Sequence, residues 1–301
     1  MHRLLVIVRH TFFDAVVQPI YSLLLLLGAL ILVIFGMLPF FTLGEDTRMY
    51  ISVALDVIIL AVLLATLFST SKAIHEEIED RTMMTLMSKP LRRWEVVLGK
   101  YFGIVGAAML GVAALGAVLI LCCWLRIPTD YQLRAGAIDQ MEARQIHDYR
   151  AMHIAGVLPS LVLAWQQVAV LAAVGIALST RFSLVVNLPT VILLYIAGNL
   201  TRFLFPLSTG VLAGRPTAQA AAWTLSLLLP YLEVFDLRKL AVMGVLRVAG
   251  TTFADNENGV KLSAIWEYVG AATVYAFAYA GFALSAGLWL FHSRELGGGD
   301  S

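Results

Sequence analysis

Side chains able to do chemistry are few in this chain, and most lie outside its apolar runs. Glu76, Glu77 and Arg81 form an E-E-x-x-x-R pattern, in which paired carboxylates could activate a water or help hold a metal once histidines completed the site. The partners such a site needs, an F-x-x-x-H and an H-x-x-x-[ND], are missing downstream. Ala143 and Tyr149 stand four places before His147 and His153, and Ala151 and Val157 four places after them. Neither H-E-x-x-H nor G-x-S-x-G occurs. Cys122 and Cys123 are adjacent inside an apolar run, without metal-ligand spacing and unable to form a framework of staples, so they read as packing residues. Gly99-Lys100 is followed by Tyr101 and lacks the upstream glycine of a phosphate-cradling loop. Asp56 is the sole ionisable residue inside a well-defined apolar run. It falls near the run's outer end, where an interfacial or structural role needs no coupling ion.

Stepping outward from these residues, the elements that would position them are membrane helices. The chain has 301 residues, is 60% hydrophobic and 14% charged, and has a mean hydropathy of +0.83, far too apolar for a water-soluble domain. Its formal net charge of +1 signals neither a nucleic-acid partner nor a strongly acidic substrate. A hydrocarbon layer of about 30 Å needs about 20 apolar helical residues. Six runs qualify: 20–41, 51–71, 101–125, 154–180, 182–201 and 268–291. A seventh stretch, 218–235, contains Pro230 and ends in Glu233 and Asp236, and it reads as re-entrant in preference to spanning. The first run is too long and too late for a cleaved leader and is expected to stay as an anchor.

The fold expected is therefore all-α, a polytopic membrane protein with six transmembrane helices. It forms a single transmembrane domain over 1–301: an interfacial helix 1–19, spans 1–3 within 20–125 with a loop at 72–100, an outer loop 126–153, spans 4–5 within 154–201, an outer or re-entrant segment 202–267, span 6 at 268–291 and a tail 292–301. The interfacial helix rests on Leu4, Leu5, Val8, Phe12 and Ala15 at helical spacing, with Arg3, Arg9, His10 and Asp14 between them. Basic residues of short loops set orientation. Lys72, Arg81, Lys89, Arg92, Arg93 and Lys100 crowd the 72–100 loop, whereas 42–50 holds only Arg48, so the former faces the cytoplasm together with both termini.

Further polar residues invite structural readings. The 130–150 stretch, with Asp130, Asp139, Glu142 and Asp148 against Arg134, Arg144 and Arg150, reads as a solvated helix. Gln166, Gln167, Asn187 and Asn199 could line a path, but interhelical hydrogen bonding is the simpler role. Gly103, Gly106 and Gly111 suggest a close helix interface, for which a second copy of the chain is a candidate occupant.

The 72–100 loop carries a pattern of its own. Four acids, Glu76, Glu77, Glu79 and Asp80, precede an apolar helical patch of Met83, Met84, Leu86 and Met87. Pro90 ends the patch, and Arg92, Arg93 and Trp94 lead into the next span. Methionines exposed on a short cytoplasmic helix make an adaptable protein-binding face. The run from Glu77 through Glu79, Thr82, Leu86, Pro90 and Arg93 to Gly99-Lys100 resembles the signature loop of type 2 ATP-binding-cassette (ABC) transporter permeases. Thr11-Phe12-Phe13-Asp14 followed by Pro19, and Leu229-Pro230 through Glu233 and Asp236 to Arg238, resemble that family too; Arg81 departs from it, where many members have Gly.

The resemblance implies that Thr82–Ser88 is a coupling helix docking into a separate ABC ATP-binding subunit, with Thr82, Met83, Met84, Leu86 and Met87 on the helix and Met83, Leu86 and Met87 as its docking face. Glu77, Glu79, Pro90, Arg92, Arg93 and Lys100 would support the loop. It further implies a second permease copy, identical or related, surrounding membrane lipid, and the cytoplasmic membrane of a prokaryote. ATP and Mg would be bound by the partner, leaving no cofactor and no catalysis in this chain. An ion-coupled secondary transporter built on Asp56, and a membrane-embedded protease built on the E-E-x-x-x-R pattern, are the alternatives.

Overall fold

The computed structural model describes residues 2–38, 46–73, 93–131, 140–204, 229–254 and 256–292. Among them, helices dominate. α1 (His2–Val17) is separated from α2 (Pro19–Met37) by Gln18, whose φ of −61° and ψ of 126° are extended. Proline at the first position of α2 enforces that break, because it disfavours helical backbone in the residue before it while fitting a helix start. The N-terminal helix is thus a distinct element and not an extension of the first span. α3 (Asp46–Ser71), α4 (Arg93–Tyr131), α5 (Gln140–Ser179) and α6 (Leu184–Leu204) follow. A single 3-10 turn, Leu232–Phe235, leads to the short α7 (Arg238–Ala241), a parallel pair of two-residue strands, β1 (Leu246–Arg247) and β2 (Val260–Lys261), and the last long helix, α8 (Leu262–His292). The β pair is a small departure from the all-α expectation.

Among the described residues five helices, α2, α3, α4, α5 and α8, are long and apolar enough to cross a membrane, and α6 has a shorter apolar stretch, Leu184–Leu200. These six correspond to the six runs read from the sequence, but two boundaries differ. α4 and α5 have 39 and 40 residues, where the apolar runs 101–125 and 154–180 gave shorter spans. At 1.5 Å per residue each is about 60 Å long, roughly twice the hydrocarbon thickness. The polar ends continue as helix, because backbone hydrogen bonding does not require an apolar side chain.

Bundle direction follows from contacts at the helix ends. At one end, Lys100 near the start of α4 meets Ala73 just after α3, Gly99 meets Ile7 of α1, Asn187 of α6 bonds Ser71 of α3 at 3.2 Å, and Gly287 of α8 lies against Ala177 of α5. At the other, Arg126 of α4 donates to the carbonyls of Phe35, Gly36 and Leu38, capping the C-terminus of α2, and reaches Asp46 of α3 at 3.8 Å. Gly198 of α6 packs under Leu232, and the Tyr231 N–H donates to Tyr275 of α8 at 2.8 Å. The C-terminal part of α6 and the residues around Leu232 therefore lie at the same end of the bundle. Most of the 218–235 candidate lies outside the described residues, and its last part is the non-α stretch around Leu232–Phe235.

α3 is largely enclosed, with Ile51, Ala54, Ile58, Val62, Leu63 and Leu67 fully buried. α2 contacts few neighbours and leaves Leu23, Leu26, Leu30 and Ile34 exposed, as a helix facing lipid should.

Candidate functional site

The segment that carries the expected docking helix lies outside the described residues: Glu77, Glu79, Thr82, Met83, Met84, Leu86, Met87, Pro90 and Arg92 all fall in it, as do Glu76 and Arg81. What the structure describes is the frame that holds its two ends. The loop leaves α3 through a π turn at Lys72–Ala73 and re-enters at Arg93, the first residue of α4. Lys100, two turns into α4, is only 4% exposed, and its Nζ donates to the carbonyl of Ala73. An ammonium satisfies a carbonyl left over at the end of α3, a charge-assisted bond placed where the helix dipole favours a cation. One side chain thus ties the exit of the loop to its entry.

The residue before it has a mechanical reason of its own. A Cβ on Gly99 would come within 2.7 Å of Ile7, and one on Gly103 within 2.7 Å of Thr11 and 2.8 Å of the Val8 carbonyl oxygen. Gly106 faces the Phe12 ring at 3.3 Å. Spaced at 99, 103 and 106, these glycines form a groove along α4 in which α1 lies. This corrects the reading that the glycines face a second copy of the chain: α1 covers Gly103 and Gly106, and Tyr21, Leu25 and Val62 cover Gly111. The sequence pattern showed a close contact but not its occupant.

The opposite end of the bundle carries a second constellation that the sequence did not reveal. Arg238 donates to both carboxylate oxygens of Asp56, at 2.7 and 2.5 Å, and also lies 3.4 Å from Asp236. Arg48 of α3 donates to the Met243 carbonyl at 2.9 Å. Asp148, read as part of a solvated face, is instead 6% exposed and accepts the backbone N–H of Thr252 at 3.0 Å. Tyr149 meets Phe253 edge-on at 5.2 Å, and the Arg150 guanidinium lies over Trp124 at 4.3 Å. Gly156 permits the closest approach, since a methyl there would land on the Ala241 carbonyl oxygen. Nearby, the Tyr231 hydroxyl donates to Glu233 at 2.8 Å, and that hydrogen bond pushes its pKa up to about 12. The 229–261 segment is therefore clasped onto the projecting ends of α3 and α5. No local signal could have paired Arg238 with Asp56, 182 residues away.

Inside the bundle the polar residues bridge helices. Gln166 donates to the Thr273 hydroxyl at 2.6 Å, and Asn187 to Ser71 at 3.2 Å and the Gly175 carbonyl at 3.0 Å. Asn199 turns back on the Tyr195 carbonyl of its own helix. Among the described residues no group of three His, Cys, Asp or Glu could hold a metal ion.

Sequence comparison adds the decisive observation. The profile of a family described as ABC-2 family transporter protein matches residues 46–296, from the first residue of α3 to beyond the last helix. The chain belongs to the ABC-2 family. It is an integral membrane protein and an ABC transporter permease. Association with an ABC ATP-binding subunit is what membership in the ABC-2 family implies. None of the curated proteins compared with it matches. The matched region excludes α1 and α2; the glycine groove of α4 lies within it, whereas α1, which fills that groove, lies outside.

Proposed function

We propose that the chain moves a substrate across the membrane by alternating access, driven through the 74–92 loop by a separate ATP-hydrolysing subunit. The observation that carries this reading is the tie from Lys100 to Ala73. Because the loop's two ends are pinned to one another, a force on Thr82–Ser88 is delivered to α3 and α4 together and not lost in independent fraying. Met83, Leu86 and Met87 form the docking face, Thr82 and Met84 complete the coupling helix, and Glu77, Glu79, Pro90, Arg92 and Arg93 support it. ATP and Mg belong to the partner.

The bundle crosses six times, and 205–228 enters and leaves from one side. Two facts favour this: Gly198 and Leu232 share an end of the bundle, and a stretch of 24 residues is too short for two crossings of about 20 each. The 72–100 basic cluster supports a cytoplasmic loop and cytoplasmic termini, with the Asp56–Arg238 end outside; the inner membrane of a prokaryote is what the family resemblance implies. A second permease copy completes the pathway. Asp56 is engaged by Arg238, which gives an ion-coupled reading no support.

The test is Met83→Glu combined with Leu86→Glu. The doubly charged variant should insert in the membrane as wild type does yet no longer co-purify with the ATP-hydrolysing subunit. Undiminished co-purification would sink the docking assignment.

A further inference from the structure

A cavity of about 500 Å³ opens at the junction of α1 and α2, against the closing turn of α3. Its lining combines Thr11 and Asp14 of α1, Gln18 at the break, Ser69 and Lys72 of α3 and its π turn, and Ile104 of α4 at its base. Three features suit it to one kind of ligand. Lys72 is exposed and has no partner among the described residues. Gln18 accepts the Ser69 hydroxyl at Oε1, 3.2 Å, which leaves its NH2 group without a partner among those residues. Asp14 faces the same space, and its carboxylate holds only the exposed His10 of its own helix at 2.7 Å. A cation and an amide donor therefore share one cavity with a carboxylate, the arrangement that would grip an anion and an ammonium joined by a short linker.

Two further observations select a lipid over a soluble molecule. The cavity lies at the end of the bundle where the helix expected at the membrane interface turns into the first span. From Pro19 on its rim, α2 presents Ile20, Leu23 and Leu27 as an exposed apolar stripe at helical spacing. Hydrocarbon chains attached to a headgroup in the cavity would lie along that stripe.

We propose that this cavity binds the phosphoethanolamine headgroup of a membrane phospholipid, with its phosphate on Lys72 and Gln18 and its ammonium on Asp14. The assignment rests on the chain being embedded in a membrane and not on what it transports. A phosphocholine headgroup has no N–H to donate to Asp14, and phosphatidylglycerol has no cation, so both should bind more weakly.

The experiment uses the full-length protein, equilibrated with equal amounts of phosphatidylethanolamine, phosphatidylcholine and phosphatidylglycerol, with retained lipid read by native mass spectrometry. Phosphatidylethanolamine should be retained about five-fold over each of the others, the scale of one net hydrogen bond at an exposed carboxylate. Asp14→Asn should abolish that preference, and Lys72→Ala should lower retention of all three lipids, whereas Arg181→Ala, in the exposed turn between α5 and α6, should change neither. Soluble glycerophosphoethanolamine at equal concentration should not displace the lipid. Equal retention of the three lipids, full preference in Asp14→Asn, undiminished retention in Lys72→Ala, or displacement by the soluble headgroup would each overturn the proposal. The headgroup comparison needs no variant, so a folding defect cannot mask the outcome.

Discussion

Arg238 grips Asp56 through both carboxylate oxygens, joining the segment before the last helix to the N-terminal half of α3 across 182 residues of sequence. A two-point guanidinium–carboxylate pair fixes orientation as well as distance, so it acts as a clasp for the outer segment. The Asp56 side chain is 54% exposed and that of Arg238 22%, so the pair adds geometry more than stability.

Removing one partner should loosen the segment without unfolding the bundle. Arg238→Met is expected to cost about 1 kcal/mol or less, given the exposure of Asp56. It should speed modification of a cysteine placed at Thr251 by a membrane-impermeant maleimide. The exchange of both residues, Asp56→Arg with Arg238→Asp, should restore part of the protection. Labelling rates indistinguishable from wild type in the single variant would show that the clasp does not hold the segment.

The Lys100 tie predicts a different failure. Lys100→Met removes a charged donor from a part-buried carbonyl and should destabilise by about 1.5 kcal/mol. Its functional signature should exceed that loss. At a temperature where the variant stays folded, association with the ATP-hydrolysing subunit should weaken, because Met83 and Leu86 are no longer presented on a braced loop. A folded Lys100→Met protein that binds the subunit at wild-type affinity would contradict the bracing role.

Overfilling the α4 groove should displace α1. Gly103→Leu places a side chain where Thr11 and the Val8 carbonyl lie within 3 Å, and overpacking of this kind costs about 1–3 kcal/mol. Because α1 is a separate helix beyond the break at Gln18, the expected result is its detachment, seen as faster proteolysis within residues 2–17, with the rest of the bundle intact. Gly111→Leu, under Tyr21 and Val62, should instead lower the melting temperature of the whole protein.

Gln166→Leu tests whether the interhelical amides are structural. Loss of the bond to Thr273 should cost about 0.6–2 kcal/mol, the range for such bonds within membranes, measured as a shift in detergent-solubilised melting temperature. The Gln166 Oε1 is buried and unpaired, so the loss should fall at the low end.

Topology can be read directly. Cysteines at Thr251 and Lys72 should be labelled from opposite sides, the first in intact cells and the second only after permeabilisation. Labelling of both from one side would refute the proposed alternation.

Much of the architecture was legible in the chain because its cause is local. A continuous apolar run long enough to cross lipid must be helical, since every backbone group has to be satisfied within the segment, and so the six runs appear as α2, α3, α4, α5, α6 and α8. Helical spacing of apolar residues ahead of the first run announced a separate N-terminal helix, and glycine spacing announced a tight helix contact on α4. The family resemblance likewise rested on residues adjacent in sequence, from Glu77 to Lys100.

Partner choice was the part that local sequence could not carry. Hydropathy is blind to which of several apolar faces meets which, so the glycine groove of α4 was compatible with a second chain until α1 was found in it. Charge patterning counted Asp148 as part of a solvated helix, and nothing near Arg238 in sequence pointed to Asp56. Their partners, Thr252 and Asp56, come from distant segments that only the packed bundle brings together. The sequence set the solvent, the helices and the family; the tertiary structure alone decided which polar groups leave water, because that depends on distances between segments that no local spacing encodes.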